Sequence, residues 1–209
     1  MKLSFMELAY PLIMDKLLKK QLVKRFDQGY VKKVLRNVHL LYKQIIRRAP
    51  DWGGGKNIFM KNIYMGSYII AVYQATKDRI SLTDLDGILV DCLNDFTLLK
   101  KIMKGKVLSS AEYREKLKRA AVWSQQNRTQ YSGNWLLSVP EHRKPNGVYY
   151  EFTQCGLCTL CKREGVPELM PLLCNTDYIT IGFAGCKLTR TKTLANGDFC
   201  CDFWIQSIQ

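Results

Sequence analysis

Apolar side chains recur at three- and four-residue steps over residues 31–48: Val31, Val34, Leu35, Val38, Leu41, Tyr42, Ile45 and Ile46. That spacing lays them along one helix face, and Lys32, Lys33, Arg36, Lys43 and Arg47 fill the remainder. Pro50 and Gly53-Gly54-Gly55 stop the pattern. Leu17, Leu18, Leu22 and Phe26 predict a shorter helix before it, ending near Gly29. Residues 57–76 are rich in bulky apolar side chains and predict a third, well-buried helix, where Gly66 and Ser67 permit a close helix contact. Thr83 with Asp86, ahead of Leu85, Ile88, Leu89, Cys92 and Phe96, has the spacing of a capping box. Ser109 with Glu112 repeats it ahead of Tyr113, Leu117 and Ala120. The chain therefore reads as helical to about residue 127.

Beyond that point the pattern changes. Gly133, Pro140, Pro145 and Asn146-Gly147 are turn formers. Residues 148–153 alternate as a strand, which pairs across a long loop with Trp135-Leu136-Leu137 as a hairpin. Residues 156–165 predict a short helix closed by Gly165, and 167–174 one or two further helical turns. Residues 178–181, 187–193 and 199–205 predict three more strands joined by glycine-bearing turns. Short consecutive strands favour antiparallel pairing. The fold class is α+β: a helical region, residues 1–130, packed on a C-terminal antiparallel sheet with one or two short helices in residues 131–209. The two regions are expected to form one compact unit, jointed at 130–146.

Charge follows the same division. Of 209 residues, 32 are basic and 18 acidic, and the +14 balance is uneven: residues 1–50 carry 12 basic and 3 acidic side chains, residues 147–209 carry 5 and 6. A basic front is compatible with nucleic acid or anionic lipid, but no nucleic-acid motif or aromatic stacking platform accompanies it, so a solvated helix face is the expectation. The best apolar run, residues 68–73, is too short to span a bilayer. The first ten residues contain Lys2 and Glu7 and no long apolar stretch, so no secretory signal is expected there. A cytoplasmic protein with its eight cysteines held as thiols or ligands follows from this.

Seven of the eight cysteines fall in the last 55 residues, and three chemistries compete for them. Cys155, Cys158 and Cys161 are spaced by three, with Cys174 as a possible fourth ligand, which suits zinc or an iron–sulfur cluster incompletely, since a second C-x2-C pair is missing. Nucleophilic chemistry is the second reading. Cys155 precedes a candidate helix, Cys174 lies near Asp177, and Cys201 precedes Asp202. Thiols beside carboxylates suit a cationic substrate such as an amidinium, its nitrogens gripped by carboxylate while sulfur attacks carbon. Plain burial is the third, and the expected one for Cys92 and Cys186. Cys200 and Cys201, adjacent in a strand, point to opposite faces. His39 reads as structural, and His142, in a polar turn, is the one candidate histidine acid/base near the tail. No Walker loop, dinucleotide fingerprint or zinc-protease motif is present, and Gly53-Gly54-Gly55-Lys56 follows a helix instead of a strand.

The run Cys155, Gly165, Glu168-Leu169, Pro171, Cys174, Asp177, then Arg190, Thr193-Leu194-Ala195, Gly197 and Cys201-Asp202-Phe203 resembles the L-2-amino-thiazoline-4-carboxylic acid hydrolase family over about residues 147–206. Cys158, Cys161 and Cys200 are additional to that pattern. The resemblance implies hydrolysis of a C–N or C–S bond in a small cyclic amidine of the thiazoline type, giving N-carbamoyl-L-cysteine. On this reading Cys174, Asp177 and Cys201 are catalytic. Glu168, Arg190 and Asp202 bind substrate, with Arg190 paired to a carboxylate. The partner is a small molecule and no cofactor is needed. The alternative is a non-catalytic protein that holds metal or a small ligand on Cys155, Cys158, Cys161 and Cys174.

Overall fold

The computed structural model describes residues 5–141, 144 and 146–208, and among them the chain forms eight α-helices and four β-strands. His142 and Pro145, read above as a candidate acid/base and a turn former, lie outside the described residues, as do residues 1–4 of the segment read for a secretory signal. The architecture is α+β, with an antiparallel sheet near the C-terminus. No helix among the described residues is long and apolar enough to cross a membrane. Packing divides the chain into two units, Met1–Ala49 with Lys61–Thr97 and Pro50–Met60 with Leu98–Gln209.

The first unit contains α1 (Phe5–Leu22), α2 (Gln28–Arg48), α3 (Met60–Thr76) and α4 (Leu82–Asp95). The Asp27 carboxylate accepts the Tyr30 N–H at 2.9 Å and so starts α2. Gly29 is consequently inside α2, and α1 stops at Leu22 rather than running toward Gly29. The apolar stripe of α2 is buried at Val31, Val34, Val38, Tyr42, Ile45 and Ile46. The cap of α4 is Ser81, bonded to the Asp84 N–H, two residues ahead of the expected Thr83–Asp86 pair. Gly66 and Ser67 are buried within α3. His39 sits 3.8 Å from the Asp15 carboxylate, which also accepts the Tyr68 hydroxyl at 2.6 Å.

The second unit contains α5 (Thr97–Lys104), α6 (Ala111–Gln126), β1 (Leu136–Ser138), β2 (Val148–Gln154), α7 (Gly156–Arg163), α8 (Met170–Gly182), β3 (Cys186–Thr189) and β4 (Cys201–Ser207). Ser110, one residue after the expected Ser109, caps α6 through the Tyr113 N–H. The strands form one sheet in the order β1-β2-β4-β3, every pair antiparallel. In the central pair Val148 lies opposite Ile205, Tyr150 opposite Phe203 and Phe152 opposite Cys201. Strand alternation puts these six on one face, and all six are buried. Helix α6 packs against β1 and β2, and α8 against β3.

The tail departs from its expected elements at one place that matters. Residues 178–181, rich in β-branched side chains, continue α8 instead of forming a strand. Pro171 starts that helix at a position where its missing N–H costs nothing. Burial of Leu172, Leu173, Thr176 and Ile181 then outweighs local strand preference. The next strand is also shorter than expected, because β3 ends at Thr189 and the chain turns away before 193.

Candidate active site

Three segments of the second unit bring the sequence-derived candidates together. The first is the α7–α8 connection. Helix α7 ends on Gly165 at φ +68, with the Val166 N–H bonded to the Cys161 carbonyl at 2.9 Å and the Gly165 N–H to the Lys162 carbonyl at 3.2 Å. This double bond to a left-handed glycine is a Schellman closure. Pro167–Leu169 form a short 3-10 turn that leads directly into α8. On α8, Cys174, Asp177 and Tyr178 stand at i, i+3 and i+4, so they share a face.

The second segment is the loop after β3. Arg190 donates from Nη1 to the Asp177 carboxylate at 3.0 Å and from Nη2 to the Cys174 carbonyl at 3.0 Å. Its guanidinium lies 5.0 Å from the Tyr178 ring centre and 5.1 Å from that of Phe203. Its side chain is only 3% exposed, and Nε has no partner. A cation this deeply placed is tolerated because its charge is paired and its faces rest on rings.

The third segment is the start of β4. Asp202 accepts the backbone N–H groups of Thr191 at 2.8 Å and Lys192 at 2.6 Å, and the Thr191 hydroxyl at 2.7 Å. Burial works against its charge, but these donors outweigh that and hold the carboxyl below its ordinary pKa. Asp202 therefore ties down the loop that carries Arg190. The Cys201 sulfur accepts the Leu194 N–H at 3.2 Å. Thr193 closes the same loop, its hydroxyl accepting the Asn196 N–H and its own N–H donating to Asp198.

Electrostatics shows which of these groups lie within reach of one another. Burial raises the Cys174 thiol to about 12; Arg190 opposes this, while Asp177, Cys155 and Cys201 add to it. The Cys201 thiol is raised to about 11 by burial, opposed by the Leu194 N–H and Arg190. Burial also raises Asp177 to about 6 against the pull of Arg190. The Asp177 side chain is nevertheless 37% exposed, so water reaches part of it. Cys155, Cys174, Cys201, Asp177 and Arg190 thus form one interacting cluster. Glu168 is exposed on the turn before α8, where it acts on the Cys161 thiol.

Two tyrosines join the cluster that the sequence did not single out as chemical. Tyr113 on α6 and Tyr150 on β2 influence each other's hydroxyls, both are raised chiefly by burial, and both feel the Asp177 charge. Tyr150 also stacks on Phe203 at 5.0 Å. Its place opposite Phe203 depends on the pairing of β2 with β4, and the Tyr113 contact on how α6 lies on the sheet. All eight cysteines are free thiols. Among the described residues no group of three His, Cys, Asp or Glu side chains is arranged to hold a metal ion.

A family model described as L-2-amino-thiazoline-4-carboxylic acid hydrolase matches residues 57–205. Neither the curated proteins nor the solved structures contain a match to this chain.

Proposed function

The chain belongs to the L-2-amino-thiazoline-4-carboxylic acid hydrolase family, and from that premise we propose that it opens a small cyclic amidine of the 2-amino-thiazoline type by hydrolysis. The observation that supports this most is the Asp177–Arg190 pair, bonded to the Cys174 carbonyl and acting by charge on the Cys174 thiol. A carboxylate with a pKa near 6 is ionised at neutral pH yet basic enough to take a proton. A thiol near 12 is protonated at rest and needs such an acceptor.

The proposed chemistry runs in two stages. Asp177 accepts the Cys174 proton as sulfur attacks C2 of the protonated ring. The ring C–S bond breaks, and the departing sulfur takes the proton back. Water then adds to the resulting S-amidino carbon, with Asp177 again as base, and Cys174 leaves as the thiol. The product is a carbamoyl amino acid bearing a free thiol, and the net change is addition of one water. The cationic amidine also lowers the cost of forming thiolate beside it.

Arg190 acts as a positioning residue, because its Nη groups are already committed to Asp177 and the Cys174 carbonyl. Asp202 serves by fixing the Arg190 loop. Cys201, its sulfur oriented by the Leu194 N–H, is the second candidate nucleophile.

The test is thiol release from L-2-amino-thiazoline-4-carboxylate by the full-length chain. Cys174→Ala and Asp177→Asn are expected to abolish turnover with the far-ultraviolet CD unchanged, while Cys201→Ala retains it. Full activity in the first two variants removes their assigned roles. Loss confined to Cys201→Ala moves the nucleophile to β4.

A further inference from the structure

Helix α7 opens on two sulfurs within reach of one another. Cys155 is its N-cap residue and Cys158 its third helical residue. N-cap and third-position side chains meet over the same first turn, the geometry that a capping box exploits. Helix geometry sets Cα atoms three residues apart at about 5 Å, inside the Cα span of a disulfide, so rotation of the two side chains toward each other is what closure requires. Cys158 is the first cause that raises the Cys155 thiol, ahead of burial. Both are half-buried and so open to small reagents, whereas Cys161, one turn further on, is fully buried. The proposed hydrolysis uses neither Cys155 nor Cys158.

We propose that Cys155 and Cys158 form a reversible intramolecular disulfide, a redox site distinct from the hydrolytic chemistry, with a small-molecule disulfide such as oxidised glutathione as the oxidant. Cys158 sulfur attacks one sulfur of the oxidant, forming a mixed disulfide and releasing one thiol. Cys155 sulfur then attacks the Cys158 sulfur and releases the second. Two protein thiols lose two electrons and two protons, and the oxidant gains both. Each exchange consumes a thiolate, so oxidation accelerates with rising pH. Cys155 interacts electrostatically with Cys174 and Cys201, so the oxidation state of the pair is felt in the candidate active site.

The experiment incubates the full-length protein with oxidised glutathione in mildly alkaline buffer, then alkylates it and maps the peptides by mass. Chymotryptic cleavage after Leu157 and Leu160 separates the three α7 cysteines. The expected result is a Cys155–Cys158 linkage, two fewer titratable thiols than the original eight, and full reversal by dithiothreitol. Cys161→Ser is expected to keep the linkage, and Cys155→Ser to leave Cys158 as a glutathione adduct instead. Linkage to Cys161 or Cys174 instead overturns the proposal, as do eight thiols that stay reduced or are shielded by tightly bound zinc. The linkage is read by mass, so its failure is separate from any failure of the hydrolase reading.

Discussion

Asp177 and Arg190 show how one residue pair sets the chemistry of its neighbours. Burial pushes the carboxyl up and the guanidinium pulls it back, leaving it near 6. Replacing Arg190 by Gln removes the opposing cation, so the Asp177 pKa rises further and the acid limb of the pH–rate profile moves to higher pH. A purely structural Arg190 would lower activity equally at all pH values. Asp202 works on the loop beneath. Asp202→Ala loses three charge-assisted hydrogen bonds and is expected to cost about 1–3 kcal/mol in urea unfolding at neutral pH. The folded Asp202 pKa lies below its ordinary value, so its contribution is present above the ordinary carboxylate range. It is lost as pH falls through the lowered value, and the difference between wild type and variant should shrink in acid. Cys174, Asp177, Arg190 and Cys201 could be picked out as reactive groups in the sequence, whereas the bond from Arg190 to Asp177 could not, because the sequence offered Arg190 a substrate carboxylate instead. Asp202 was legible only as a charge. Its use as a backbone clamp depends on a loop that bends back onto β4, which no local pattern records.

At the scale of elements, α8 carries the main lesson. Residues 178–181 read as a strand from their β-branched side chains, yet they extend a helix that buries Ile181. The helical continuation sets Tyr178 on the same face as Cys174 and Asp177, with its ring 5.0 Å from the Arg190 guanidinium. The cap positions of α4 and α6 were each displaced by one or two residues, since several Ser and Thr side chains precede each helix and packing selects among them. By contrast α2, β2 and α7 followed from periodicity, alternation and the terminal Gly165. Helix α7 also makes a prediction of its own. A Cβ on Gly156 would lie 2.7 Å from the Trp135 ring. That ring is 3% exposed and packed against Trp52 and Phe59, so it has little room to yield. Gly156→Ala should therefore destabilise the protein by about 1–3 kcal/mol through overpacking. An unchanged urea midpoint would show that Trp135 moves freely.

For the whole molecule, the α+β class and the antiparallel tail were readable because composition and charge both change along the chain. The helical front has a basic excess, and the last third is nearly neutral and rich in cysteine. The order β1-β2-β4-β3 was not readable, because strand neighbours separated by α7 and α8 leave no sequence signature of who pairs with whom. The family match spans residues 57–205 and so reaches well beyond the tail motif into helices whose sequence is only generically patterned. The cysteine-rich tail supplies a third whole-molecule expectation. Its cysteines are free thiols, and Cys161, Cys186, Cys200 and Cys201 among them are buried. Dialysis against a strong chelator should therefore leave the thermal unfolding midpoint unchanged. A marked fall would bring back the zinc or iron–sulfur reading of Cys155, Cys158, Cys161 and Cys174.

The decisive measurement is the rate of thiol appearance from L-2-amino-thiazoline-4-carboxylate, followed with the unmodified chain from acid to mildly alkaline pH. Asp177 as the working base predicts turnover that climbs through a midpoint near pH 6 and then levels off. No thiol at any pH, or a rate indifferent to pH across that range, would contradict the account.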